Sequence, residues 1–172
     1  MNMRNIITLG FLIFFICVNS QERALKGKKY SEYKSIYNSQ LKCLGVGTPG
    51  SYNVEVGVSQ RKKKPDFEKA RKAAVFSVLF NGFPGDYDTG CDSQKAILNA
   101  DAFESNPDYF KSFFETGKYA QFVSSTNDEF VKVSKLKKGF KIRLKVVVRY
   151  DDLRQKMEKD GLRKGLGSFF KN

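Results

Sequence analysis

The chain contains no histidine and no tryptophan. The missing imidazole excludes Ser-His and Cys-His nucleophiles and histidine general bases, so any catalysis would fall to carboxylates, lysine, tyrosine or cysteine. Cysteine is scarce, at three residues among 172. Two lone cysteines beyond the N-terminal segment, with no histidine to join them, fall short of the four ligands of a structural zinc site. No motif implies a cofactor: Gly45, Val46 and Gly47 lack the rest of a phosphate-cradle fingerprint. Proline is rare, at four residues, and neither a Pro/Ser-rich linker nor an internal repeat divides the chain. Acidic residues are in deficit, 18 against 31 lysines and arginines, for a formal net charge of +13. That charge favours anionic partners: phosphorylated envelope polymers, acidic membrane surfaces or nucleic acid.

The one long apolar run lies at the N-terminus. Arg4 precedes a stretch from Ile6 to Val18 that is apolar apart from Thr8 and Gly10, and Val18, Asn19 and Ser20 stand before Gln21. Residues 1–20 therefore read as a secretory signal peptide, too short for the roughly 20 apolar residues of a membrane span. Cys17 follows Phe14, Phe15 and Ile16, which are too bulky for a lipidation site. Export is expected, to the periplasm or beyond it, with a peripheral position at the outer membrane as one destination. About 150 residues then remain, enough for one domain. In an oxidising compartment Cys43 and Cys91 permit a single disulfide; two separate buried thiols are the other reading.

Residues 21–41 form a polar, lysine-rich arm carrying Tyr30, Tyr33 and Tyr37, with a short helix over 31–40. A single domain then spans 42–172. Tyr52, Val54, Val56 and Val58 alternate with polar residues and predict a strand over 52–59, and the glycines at 45, 47 and 50 read as the turn before it. Arg61, Lys62, Lys63 and Lys64 follow, closed by Pro65. Asp66 is placed to cap a helix running to Phe80, with Phe67, Ala70, Ala74 and Val78 in one stripe and Ala73, Phe76 and Phe80 beside it. Asn81, Gly82, Phe83, Pro84 and Gly85 stop it.

Residues 83–118 read as an aromatic-rich insertion. Its DYDTGCD segment carries Asp86, Asp88 and Asp92, but Gly90 sits one position early for a calcium loop and the twelfth position is Ile97, so an acidic turn is expected. A helical piece over 93–103 follows, then a helix from Pro107 to about 116, with Asn106 at the cap. Tyr109, Phe110, Phe113 and Phe114 lie at core spacing on it. Residues 119–125 and 130–136 read as strands joined by a turn at 126–128, and Lys137, Lys138 and Gly139 make the next turn.

The following segment sets Phe140, Ile142, Leu144, Val146, Val148 and Tyr150 against Lys141, Arg143, Lys145, Val147 and Arg149. On a strand, this period of two makes one apolar and one basic face. Asp151 and Asp152 are placed to cap a short helix with Leu153 and Met157 on one side and Gly161 as its stop. The tail beyond Gly161 is basic and apolar, either a lid or a sticky surface segment. The expected class is α+β: an antiparallel sheet of about four strands, a long helix packed on one face, a short helical insertion and a C-terminal helix. Candidate contacts to an anionic partner are Arg61, Lys62, Lys63, Lys64, Lys141, Arg143, Lys145 and Arg149. Specific nucleic-acid binding is disfavoured, because Phe140 and Tyr150 lie opposite the basic face, whereas base-stacking platforms combine the two. Glu104, Asp108 and Glu115 flank the aromatic helix; they are surface residues or, in an alternative reading, the acid pair of a hydrolase acting on envelope polysaccharide.

Three pieces together resemble a known family. They are Val54-Glu55-Val56-Gly57-Val58, the helix with Ala70, Ala73 and Ala74, and the G-F-K-I-x-L-K-V-x-V strand leading into D-x-L-R-x-x-M-E-x-x-G-L between Gly139 and Leu162. The pattern resembles the small envelope domain in the N-terminal part of flagellar assembly protein T and in related outer-membrane lipoproteins. The resemblance implies a helix packed on an antiparallel sheet and a non-enzymatic assembly or interaction role facing the periplasm, with an envelope protein, polymer or lipid as partner. It carries over no functional residues. The lipidation cysteine of the lipoprotein members is absent, and residues 83–118 are an addition to the pattern.

Overall fold

The computed structural model describes residues 33–35, 37, 39–124 and 130–164. The expected signal peptide, most of the arm, the turn at 126–128 and the tail beyond 164 lie outside the described residues. The fold is α+β. An antiparallel sheet contains β1 (Leu41–Val46), β2 (Ser51–Gln60), β3 (Val123–Ser124), β4 (Phe130–Leu136) and β5 (Gly139–Arg149). The helices are α1 (Phe67–Phe80), α2 (Ala100–Ser105), α3 (Pro107–Glu115) and α4 (Tyr150–Lys159), with 3₁₀ turns at Tyr87–Thr89 and Lys118–Phe122.

Alternation decides the sheet. β2 and β5 pair without a break from Ser51 opposite Arg149 to Gln60 opposite Phe140. Val54, Val56 and Val58 therefore share a face with Ile142, Leu144, Val146 and Val148, and all seven are buried. β1 pairs along the outer side of β2, while β4 and β3 share the far side of β5. Helix α1 lies on the apolar face, where Ala70, Ala73 and Ala74 allow close approach. The Asp66 carboxylate accepts the Lys69 N–H at 2.9 Å, the cap expected of it. Gly82 ends the helix at φ +69°, and a Cβ there would run into the Gln94 carbonyl oxygen.

The second half of α1 is buried all round, Ser77 included, which a single apolar stripe does not explain. Its far side is covered by the aromatic insertion. Phe80 meets Phe110 at 5.3 Å, Phe103 stacks on Phe110 at 5.0 Å, and Phe76 lies 6.2 Å from Phe114. Tyr33 and Tyr37 of the arm pack onto Phe103 and Phe114. The aromatic stripe of α3 is thus core, and the insertion completes the domain.

Several local expectations differ from the structure. The glycine-rich segment before β2 is a strand, β1, because Leu41 and Cys43 point inward opposite Val56 and Val54; only residues 47–50 turn. Of the segment 119–125, the described residues form the 3₁₀ turn Lys118–Phe122 and the two-residue β3, with residue 125 outside the described residues. Tyr119 and Phe122 are both buried three positions apart, the spacing of a 3₁₀ face. The helix within 93–103 is confined to α2, since the N–H groups of Ile97 and Leu98 instead donate to the Val78 and Leu79 carbonyls at the end of α1. Asn106 makes no cap bond to α3; its Nδ2 donates to the Ala102 carbonyl. Helix α4 starts at Tyr150 with Arg149 at the cap position, so Asp151 and Asp152 lie in its first turn, where they still meet the positive end of the helix dipole.

Two links tie distant segments. Cys43 and Cys91 form a disulfide with Cα atoms 6.3 Å apart, joining β1 to the insertion across 48 residues. Asp160, at the end of α4, accepts hydrogen bonds from the Tyr109 hydroxyl and from Lys156 Nζ. Burial alone would raise the Asp160 pKa, but these two donors outweigh it and hold the carboxyl below the ordinary value.

Replacing Cys43 by alanine is expected to cost up to about 4 kcal/mol, the chain-entropy value for a loop of this length. Denaturant unfolding with and without reductant measures it, and reductant should leave the variant unchanged. Asp160→Asn is expected to cost about 2 kcal/mol at pH 7. Because the folded-state pKa is depressed, that stability is present above the unfolded value and is lost as the pH falls through the folded one. Melting curves of the two proteins should therefore converge as the pH falls below the ordinary aspartate range.

Candidate functional site: a basic sheet face and a basic tip

The sheet face opposite α1 is polar and carries the alternate residues of every long strand. Across it, register sets Lys42, Glu55 and Lys145 in one row, Gly57, Arg143 and Lys132 in the next, and Ser59, Lys141 and Ser134 in a third. Gly57 leaves room for its neighbour: a Cβ there would come within 3.2 Å of Lys141 Cε, so the lysine stem lies over the glycine. Glu55 is the one carboxylate of this face among the described residues, and it pairs with Arg143 at 3.7 Å.

The sequence-derived cations do not form one patch. Arg143 and Lys145 occupy the middle of the face. Arg149 lies at the far end of β5 and pairs with Asp152 at 3.5 Å. Arg61, Lys62, Lys63 and Lys64 are all exposed in the loop after β2, at the end of the sheet where Lys141 lies. Lys137 and Lys138 join them there. Gly139 begins β5 at φ +100°, and a Cβ on it would collide with the Gln60 carbonyl oxygen, so the β4–β5 turn and the basic loop touch. The period-two pattern of residues 130–136 could have revealed Lys132, and the turn itself Lys137 and Lys138.

No sequence signal identifies the residue that builds the loop, Gln60. Its Nε2 donates to the carbonyls of Lys62 and Lys64 at 2.6 and 2.5 Å, and its Oε1 accepts the Asp66 N–H at 3.3 Å. Lys69 Nζ donates to the Ser59 carbonyl at 2.6 Å. Carbonyls turned inward onto one amide leave four cationic side chains directed outward on a fixed backbone.

Elsewhere, Glu104, Asp108 and Glu115 are exposed, and Glu115 accepts the Tyr33 hydroxyl at 3.2 Å. Asp86 caps the 3₁₀ turn at Tyr87–Thr89 and pairs with Lys42 at 3.8 Å, so the acidic turn has a structural role. Among the described residues no cluster of histidine, cysteine, aspartate and glutamate is arranged to hold a metal ion. An open groove beside the end of α1 is lined by Ser39, Asn81, Phe83 and Lys95, among others, with Lys95 as its one charged group. Among the described residues no helix is long and apolar enough to cross a membrane. Comparisons with protein-family models, curated proteins and solved structures give no match for the chain.

Gln60→Ala removes the three side-chain hydrogen bonds that close the basic loop, together worth about 1.5 kcal/mol for such exposed groups. Tryptic cleavage within residues 61–64 is expected to run about tenfold faster than in the parent protein, and the melting temperature to fall by a few degrees. Timed proteolysis with mass spectrometry measures the effect.

Proposed function

We propose that this protein is an exported, non-enzymatic binding or assembly module of a bacterial envelope that engages an anionic partner through the basic side of its sheet. The observation that carries the proposal is the grouping of cations on the sheet face left uncovered by α1 and at its adjoining tip. The apolar face, by contrast, is committed to the core. A net charge of +13 and the leader-like N-terminus agree with this reading. So does the resemblance to the envelope domain of flagellar assembly protein T.

Electrostatic engagement of this kind weakens with salt and with each cation removed. Reversing Arg61, Lys63, Arg143 and Lys145 together to glutamate is expected to lower retention on an anionic matrix at 0.15 M salt by about a hundredfold, at roughly 1 kcal/mol or less per site. Circular dichroism should show the fold unchanged. Glu55→Gln should act in the opposite direction and raise the salt needed for elution. Unchanged retention of the fourfold variant would sink the proposal.

A further inference from the structure

We infer that the anionic partner is a lipid bilayer surface, met end-on by the tip where the basic loop and the β4–β5 turn come together, with Leu136 set into the headgroup boundary. This rests on the proposed engagement of an anionic partner and adds its class and its orientation.

The shape of the tip is the first reason. Two exposed turns that touch at the end of a sheet make a doubly anchored end that can meet a plane. A linear polyanion would instead follow β5 along the sheet face, where it would cross Glu55 in the middle row. Composition is the second reason. Leu136 is 38 % exposed, on the face side of the hairpin, and lies between Lys135 and the pair Lys137 and Lys138. An apolar side chain flanked in sequence by lysines suits an anionic interface, where the stems of the lysines bury and their ammonium groups reach phosphate. The third reason is the direction of the charge. Asp151 packs against Gly50, at the opposite end of β2 from Gln60, and Asp152 adjoins it. Asp86, Asp88 and Asp92 lie beside the end of β1 there, with Thr89 near Gly45. Arg154, Arg149 and Lys42 pair with Asp151, Asp152 and Asp86, so this end is only mildly acidic, and in the field of an anionic plane its contrast with the six cations of the tip turns the tip inward. Finally, Gln60 fixes the loop backbone before binding, so fewer degrees of freedom are lost on contact.

The test uses the full chain with vesicles of phosphatidylcholine alone, vesicles with phosphatidylglycerol added, and heparin as a soluble polyanion. Binding is expected to vesicles containing phosphatidylglycerol and not to the neutral ones. Each tip cation is worth about fivefold in partitioning, so the variant K62E/K63E/K137E/K138E should bind at least a hundredfold more weakly. Reversing Arg143 and Lys145 on the face should change binding less than about threefold. The chain lacks tryptophan, so Leu136→Trp gives a single reporter with every charge in place. Its emission should shift to the blue on adding anionic vesicles and stay put with neutral ones. Retention on heparin without vesicle binding would overturn the bilayer and leave the anionic partner standing. Loss of vesicle binding in the face variant but not the tip variant would overturn the orientation, as would an unshifted emission from the Leu136→Trp variant when it is bound to vesicles. Failure to bind either vesicles or heparin would remove both this inference and the proposal beneath it.

Discussion

The unbroken pairing of β2 with β5 is the constraint on which the rest of the domain depends. Both strands alternate, so the register that puts Val54, Val56 and Val58 beside Ile142, Leu144 and Val146 also sends Lys141, Arg143 and Lys145 to the other side. A slip of one residue would turn three cations into the core, where each would lack water and a partner. Desolvation therefore fixes the register, and the register fixes where the basic side, the tip and the acidic end must fall. Neither the basic face nor its ends can be moved without unmaking the core.

What the paired strands leave unfinished is completed from outside the sheet. Helix α1 offers alanines to the sheet and phenylalanines to the insertion, so it stands in the middle of one continuous core. The edge strand β1 has only β2 beside it and is secured in other ways. Cys43 is bonded to the insertion. Just before β1, the Ser39 hydroxyl donates to the Gly57 carbonyl, and Ser77 of α1 donates to the Ser39 carbonyl at 2.6 Å. Two serines that look out of place in a core thus satisfy one another and staple strand to helix.

The parts legible in the sequence are those where a periodic pattern is long and its alternative is costly. The eleven residues of β5, the capped run of α1 and the Pro107 start of α3 all belong here. Where tertiary contacts outweigh local signals, the sequence reads differently from the structure. β1 has glycines that suggest a turn, yet two inward side chains and a bonded cysteine make it a strand. Residues 119–122 mimic alternation, but burial of Tyr119 and Phe122 selects a 3₁₀ turn. Of the site, the cations themselves are visible in the sequence. Their division between face, tip and far end is not, because it depends on which strand ends meet. Gln60 is invisible for the same reason: a surface glutamine becomes an organiser only once Lys62, Lys64 and Asp66 are folded around it.

The charge separation follows from how the acidic residues are used. Asp66 caps α1, Asp86 caps a 3₁₀ turn, Asp151 and Asp152 sit in the first turn of α4 and pair with Arg154 and Arg149, and Asp160 joins α3 to α4. Each does local work at a helix end or a packing joint, and most of those joints lie away from the tip. Among the described residues, Arg61, Lys62, Lys63, Lys64, Lys137 and Lys138 make no ion pair, although a deficit of acids alone would not require all six to gather in two touching turns. Grouping them raises their mutual repulsion, a cost relieved at that end only in part by Asp66, whose carboxylate is turned onto the Lys69 N–H. Hydrogen bonds from Gln60 hold the loop in this arrangement instead of letting it spread. Such a backbone, fixed against its own charge, is most stable beside something negative that the chain itself does not supply.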